Sequence, residues 1–311
     1  MCYSAQAWQD YRKYMRVHGA SLGLDAFIKL FWNWREHVTP YKLPKAMLDA
    51  FSDPATCPDL RILQWIEDWK AEQATALEQD LFAQKTRLVG AERTLQTKVT
   101  KKAQNDLRIA TDKISKASLR LKDLRRSEPL PRDSRIFPGN YSCAMVAEAG
   151  QRVVMPMRYL CRPQGKPAQY DSKYPGTYNA RRDSLESYWK GLFGHHHAVM
   201  VMDTFYENVE GPDGRNRVLQ FTPRDGGPMY VACLWSRWTD PSGIEPDLLS
   251  FAAITDDPEP EVAAAGHDRT IINLKPEHLD AWLNPDARDL TALYALFDDK
   301  QHPFYEHREA A

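Results

Sequence analysis

Near the start of the chain, apolar positions recur at helical spacing: Tyr11, Tyr14 and Met15, then Leu24, Phe27, Ile28, Phe31 and Trp32. One apolar face on a 3.6-residue period predicts amphipathic helices here. From Asp59 to Arg126 the pattern changes, with no proline and a single glycine, Gly90. Ala74, Leu77, Leu81, Leu88, Ala91 and Leu95 form a heptad-like run in which Gln84 is a polar break. A second, unbroken run is Ala103, Leu107, Ala110, Ile114, Ala117, Leu121 and Leu124. Such runs keep one narrow apolar seam on a long helix. Between them the step becomes four, four, four, which marks a stutter or the turn of a hairpin. The hairpin is favoured, because an inserted rod should return its chain near its departure point. Ala103, Ala110 and Ala117 would then let the partner helix approach closely. The turn lies near Gly90 or near Gln96–Thr100.

After Pro129-Leu130-Pro131 the pattern shortens to strands: 143–147, 152–159, 198–201, 217–221, 229–234 and 250–255. Turn signals such as Pro138-Gly139-Asn140 and Asp256-Asp257-Pro258 separate them. Asp225-Gly226-Gly227-Pro228 reads as a hairpin turn, not a phosphate loop. A helix is expected over 276–283.

With 43% hydrophobic residues in 311, the chain can bury a sizeable core, which excludes global disorder. The formal charge of −1 excludes a globally basic binder but hides an asymmetry. Residues 93–126 hold eleven Lys/Arg against Asp106, Asp112 and Asp123, a net of +8, so the remainder sums to −9. This is either a solvated face or a contact for a DNA backbone or a protein partner. The cysteines, Cys2, Cys57, Cys143, Cys161 and Cys233, are odd in number and lack C-x-x-C spacing. A disulfide framework and a zinc ribbon are therefore not expected. With no membrane-length apolar run and no signal-peptide pattern, the expected location is cytoplasmic.

Cys2 follows the initiator Met, so Met removal would place a free α-amine beside a thiol. Their ordinary pKa values are about 8 and about 8.5. A 1,2-aminothiol condenses with an aldehyde to an imine, and thiol attack then closes a thiazolidine. Gly266-His267-Asp268-Arg269 offers a proton-transfer group beside a guanidinium. Glu207, at the end of the apolar strand 197–202 and Phe205-Tyr206, is a carboxylate whose pKa burial would raise. Tyr178-Asn179-Ala180-Arg181 sets an amide two residues from a guanidinium. His195-His196-His197, taken as part of a strand, alternates faces and cannot converge on one ion, so no metal or cofactor is expected.

In this order the segments resemble the SOS-response-associated peptidase (SRAP) family, which crosslinks to abasic sites in single-stranded DNA. Met1-Cys2 matches the family start, and the Pro156–Pro163 segment its Arg-x-Trp-Gly-Leu-Ile-Pro-like strand. Asn179-Ala180-Arg181 matches Asn-Ala-Arg-x-Glu, and Asp203–Glu207 matches Gly-Phe-Tyr-Glu-Trp. Pro228–Trp235 matches a strand ending Ala-Gly-Leu-Trp, Thr255 a strand Thr, and His267-Asp268-Arg269 the His-Asp-Arg-Met-Pro motif. The likeness covers about residues 138–282 plus the first two. It implies Cys2 as nucleophile, Asn179 positioning its amine, Glu207 shuttling protons and His267 assisting opening of the abasic sugar. It also implies DNA contacts from Arg181, Arg269, Thr255 and Arg158, a planar fork suiting phosphate.

The departures fall mainly on the DNA-contacting rim: Tyr3-Ser4 for Gly-Arg, Asn208 for Trp, Asp183 for Glu, and Thr270-Ile271 for Met-Pro. The fold expected is α+β, a strand-rich SRAP-like domain with a mixed, barrel-like sheet from residues 1–57 and 131–311. A coiled-coil-like helical hairpin is inserted at 58–130. The partner implied is abasic single-stranded DNA, with the arm open to a protein partner or self-association. Alternatives are an N-terminal-Cys peptidase or amidohydrolase, and a non-catalytic scaffold that binds through the arm.

Overall fold

A computed structural model describes residues 3–36, 42–211 and 213–310. By its contacts the chain forms two compact units, Asp59–Pro129 and the remainder. The larger begins with strand β1 (Ser4–Ala7), helix α1 (Tyr11–His18), β2 (Ser21–Leu22), α2 (Leu24–Arg35) and α3 (Lys45–Ala50). Helix α1 is capped by Asp10, whose side chain accepts from Arg12 N, and it buries Tyr11 and Tyr14. The early helical spacing is thus realised as α1 and α2.

The smaller unit is an α-helical hairpin of α4 (Leu60–Thr97) and α5 (Lys101–Leu124). Its turn is at Lys98–Thr100, where the Thr100 hydroxyl accepts from Ala103 N at 3.1 Å and caps α5. Gly90 stays inside α4, a residue that costs a helix interior about 1 kcal/mol relative to Ala. Ala103, Ala110 and Ala117 are all buried, as the close approach of two helices requires. Gln84 does not interrupt the seam; it is buried within it, its amide donating to Asp80 at 3.1 Å. Arg87 to Asp106 and Arg125 to Glu78 pair the two helices in antiparallel register.

The larger unit continues with β3 (Arg135–Ile136), β4 (Tyr141–Glu148), β5 (Gln151–Tyr159), α6 (Tyr170–Lys173) and β6 (Asn179–Arg181). Next come β7 (His197–Glu210), β8 (Asn216–Pro223), β9 (Met229–Trp238), β10 (Leu248–Asp256) and α7 (Pro260–Ala264). The chain ends with β11 (Thr270–Ile271), β12 (Asn273–Leu274), α8 (Leu279–Leu283), α9 (Leu290–Asp298) and β13 (Tyr305–Glu309). Strands β9, β10, β5, β4 and β7 pair in that order, and β7 returns to β9, closing a five-stranded barrel. Only β10–β5 is parallel among these pairs, so the barrel is mixed. Met157, Met200, Phe205, Val231, Cys233 and Phe251 belong to its buried core.

Three local expectations are corrected. The chain through Asp225-Gly226-Gly227-Pro228 turns, but it closes no hairpin: β8 pairs with β7 and β13, while β9 pairs with β7. Barrel closure takes the pairing partner that a local hairpin would have used. Residues 197–210 form one continuous strand, so Glu207 lies within β7 and not beyond its end. Among the three histidines only His197 is in the strand. Its Nδ1–H donates to the Trp282 carbonyl (2.9 Å), and its ring stacks on Trp282 at 3.7 Å. Gly194 N–H donates to Nε2, and burial pushes the His197 pKa down to about 3. It is a neutral core residue. The 276–283 helix is a 3-10 turn, Pro276–His278, running into α8.

Candidate active site

Strand β1 lies between β7 and β3, with Ser4 opposite Tyr206 and Ala5 opposite both Phe205 and Ile136. Just before it, the Tyr3 N–H donates to the Tyr206 carbonyl (3.1 Å) and to Glu207 Oε2 (3.3 Å). Strand alternation puts Glu207 on the same face as Phe205 and Val209, both buried. Its side chain is 2% exposed. Burial pushes its pKa up to about 8, because the charged form loses hydration that nothing apolar replaces. At neutral pH Glu207 is therefore mainly a carboxylic acid.

His267 arrives from the other side. Helix α7 ends in Gly266 at φ +93°, a left-handed conformation that suits glycine. The turn lets His267 N–H bond back to the Val262 carbonyl at 3.2 Å. Beyond it, β11 pairs with β10, Thr255 opposite Ile271, and fixes the far end of the segment. The ring Nδ1 lies 2.9 Å from the Arg269 carbonyl and 3.3 Å from the Arg269 N–H, so Arg269 fixes the orientation of the ring. Nε2 lies 3.3 Å from Glu207 Oε2. Burial, the largest influence, lowers the His267 pKa below its ordinary value. The pair is thus a neutral acid facing a neutral base.

These two residues, with Tyr3, Tyr178, Asn208, Asp268 and Arg269, line a cleft of about 260 Å³. Arg269 also lines a neighbouring cleft of about 400 Å³ with Arg181, Arg182, Glu186, Thr255 and Asp256. A larger cavity, about 660 Å³, is elsewhere, between α2 and β5, and holds none of the sequence-derived candidates. The Glu207–His267 pair lines the smaller cleft.

Asn179 follows Tyr178 on β6, which runs parallel to β10 with Asn179 opposite Ala253. It is buried, the Tyr159 hydroxyl donates to its Oδ1 at 3.5 Å, and its Nδ2 has no hydrogen-bond partner among the described residues. The buried Thr255 hydroxyl likewise lacks one. Unsatisfied buried polar atoms are costly, so both mark candidate contacts for a bound group. Arg181 is exposed and paired with Asp183; Arg269 lies 3.5 Å from Asp268. Arg158 is not in this cluster: its guanidinium pairs with Asp171 (2.8 Å) and donates to the Leu160 carbonyl. Cys2 lies outside the described residues. Among the described residues no group of three or more His, Cys, Asp or Glu could hold a metal ion.

Sequence reasoning did not single out Tyr3 and Tyr178 as cleft walls, nor Arg182, which pairs with Asp256 and Asp298. It also passed over Arg135. That guanidinium donates to Ser4 Oγ (3.1 Å) and lies 3.7 Å from the Tyr206 ring centroid and 5.1 Å from that of Phe137. Phe137 in turn meets Tyr3 edge-to-face at 5.6 Å. Only the β1–β3 pairing, unmarked by any motif, brings these groups together.

A family model for SOS response associated peptidases (SRAP) matches residues 93–309, about 70% of the chain. The chain belongs to the SRAP family. The matched span includes Asn179, Glu207 and His267, and every residue lining the cleft except Tyr3. Similar solved structures include a protein from Bordetella bronchiseptica, with 19% identity and a TM-score of 0.47, covering 60% of this chain and 90% of that one. Another is from Bacteroides thetaiotaomicron, with 15% identity and a TM-score of 0.48, covering 57% and 77%. A phage-related protein from Bordetella bronchiseptica has 18% identity and a TM-score of 0.42, covering 57% and 80%. No curated protein matches the chain. No helix among the described residues is long and apolar enough to cross a membrane.

Proposed function

We propose that this SRAP protein captures abasic sites in single-stranded DNA as a thiazolidine on Cys2, after removal of Met1. The observation that carries this reading is the contact between buried Glu207 and the Tyr3 nitrogen, with His267 on the same carboxylate. That nitrogen belongs to the amide joining residues 2 and 3.

The chemistry needs protons placed at three moments. Opening the abasic sugar removes a proton from the C1′ hydroxyl and delivers one to the ring oxygen; the neutral His267 imidazole suits the first task. The Cys2 amine then adds to the aldehyde, and the carbinolamine loses its hydroxyl as water when Glu207 supplies a proton. Finally the thiol adds across the C=N bond, its proton ending on nitrogen. The net change is amine, thiol and aldehyde to thiazolidine and one water. Asn179, through its unpartnered amide, would orient the amine, while Arg181 and Arg269 would hold flanking phosphates.

Incubation with an abasic single-stranded oligonucleotide, read by denaturing gel and intact mass, tests this. The expected product has the summed mass less one water, and Cys2→Ala gives none. A crosslink that persists in Cys2→Ala overturns the reading. Multiple turnover of an amide substrate without a trapped species would instead favour the peptidase alternative.

A further inference from the structure

The two helices of the arm differ in charge. Helix α4 holds five Lys/Arg and six Asp/Glu, whereas α5 holds seven Lys/Arg and three Asp. At about 100° per residue, Lys101, Lys102, Arg108, Lys113, Arg120 and Lys122 fall within an arc of about 180° on α5. That arc is opposite the buried seam of Ala103, Ala110 and Ala117, and all six side chains are exposed. The two carboxylates on it are already engaged, Asp112 with Lys116 and Asp123 with Arg126. The third, Asp106, faces Arg87 of α4. None of the six cations has a carboxylate partner among the described residues.

A helix face that serves only solubility interleaves the two signs, as α4 does. The outward face of α5 instead leaves six like charges uncompensated over about 32 Å of rod. At low salt their mutual repulsion is relieved most by a partner with a matching row of negative charge. Helix α5 contains no aromatic residue, so it offers no ring on which unstacked bases could lie. What remains is phosphate contact along a stiff, straight rod. Duplex DNA presents such an array, about one charge per 1.7 Å of axis, twice the density of a single strand at about 3.4 Å.

We propose that the outward face of α5 binds the phosphate backbone of duplex DNA without reading its sequence. The proposal draws on the reading above only in taking DNA as the polyanion, and it does not involve Cys2.

The test is fluorescence anisotropy of the full chain with an undamaged 20-bp duplex and with either of its strands, from 50 to 200 mM salt. Wild type should prefer the duplex, with log K falling against log salt at a slope of about −5 for six phosphate contacts. Arg108→Glu/Lys113→Glu/Arg120→Glu should weaken duplex binding at least 100-fold at 50 mM salt. The corresponding triple Gln variant should flatten the slope by about 3. Both should keep the helical circular dichroism of wild type and its crosslinking of a short abasic strand. The inference is overturned by absence of wild-type duplex binding at 50 mM salt, or by equal affinity in the Glu variant. It is also overturned if sedimentation shows that the Glu variant changes self-association and not DNA binding. If wild type never crosslinks yet binds duplex as described, the arm inference stands and the abasic-site reading falls.

Discussion

Glu207 and His267 meet through Oε2 and Nε2 at 3.3 Å, both largely withdrawn from water. Each neutralises a problem for the other. A buried carboxylate or imidazolium alone is expensive, whereas a neutral acid facing a neutral base satisfies both at little cost. The same arrangement keeps a donor and an acceptor available at one point near pH 7.

Replacing the acid should slow chemistry more than binding. Glu207→Gln keeps the shape and an acceptor for the Tyr3 N–H but cannot give up a proton. Crosslinking to an abasic oligonucleotide should slow by about 10² to 10³-fold, with affinity for an unreactive abasic analogue changed less than about threefold. Single-turnover gel time courses and anisotropy measure the two quantities separately.

The pH profile should report the same residue. Glu207 works protonated and has a pKa of about 8, so the rate should fall as pH rises through that value. His267 works neutral and has a lowered pKa, so it should add an acid limb below the ordinary histidine range, beneath the limb that the Cys2 amine sets at about 8. In Glu207→Gln the alkaline limb should vanish. An alkaline limb unchanged in the variant would assign it to another group.

Stability follows from the same shift with a definite sign. The folded-state pKa is raised, so the folded state binds the extra proton more tightly than the unfolded chain does. The favourable contribution is complete below the ordinary carboxyl range, near pH 4.5, and is lost as pH rises through about 8. Between pH 5 and 8.5, wild type should therefore lose stability relative to Glu207→Gln, by on the order of a few kcal/mol. Thermal melts of the two proteins across that range provide the comparison.

Arg135 has no carboxylate partner among the described residues and is held between two rings. If the DNA reading is right, this preformed guanidinium meets a phosphate beside the cleft. Arg135→Gln should weaken single-strand binding about tenfold and flatten its salt dependence by about 0.7. An unchanged salt slope would confine Arg135 to stacking and to bracing Ser4.

In the arm, Ala110 is completely buried on the seam. Ala110→Leu should force the helices apart and destabilise the hairpin by about 1–3 kcal/mol. Hydrogen exchange should quicken along α4 and α5 while the barrel strands keep their protection. Uniform loss of protection would mean that the two units unfold as one.

Legibility divides along the same lines. The seam was readable because a seven-residue repeat of alanines has one packing consequence, and Ala103, Ala110 and Ala117 are buried. The strands were readable from alternation and turn residues, although β7 runs past the point where its apolar run ends. The hairpin expected after β8 was not formed, since turn chemistry reports that a chain reverses and not which strand it then pairs with. Gln84 read as an interruption because polarity alone cannot show that its neighbours would bury it.

The sequence by itself determined the long hairpin, the strand-rich remainder and the set of reactive residue types, because each depends on local periodicity or on side-chain chemistry. Tertiary structure alone decided that Glu207 and His267, sixty positions apart, share one contact. It did so through closure of β7 into the barrel and the left-handed turn at Gly266. It also decided that Arg135 faces Tyr206 and that Arg158 turns toward Asp171. Such pairings are set by how the whole barrel closes, and a burial-dependent pKa exists only once that closure has excluded water.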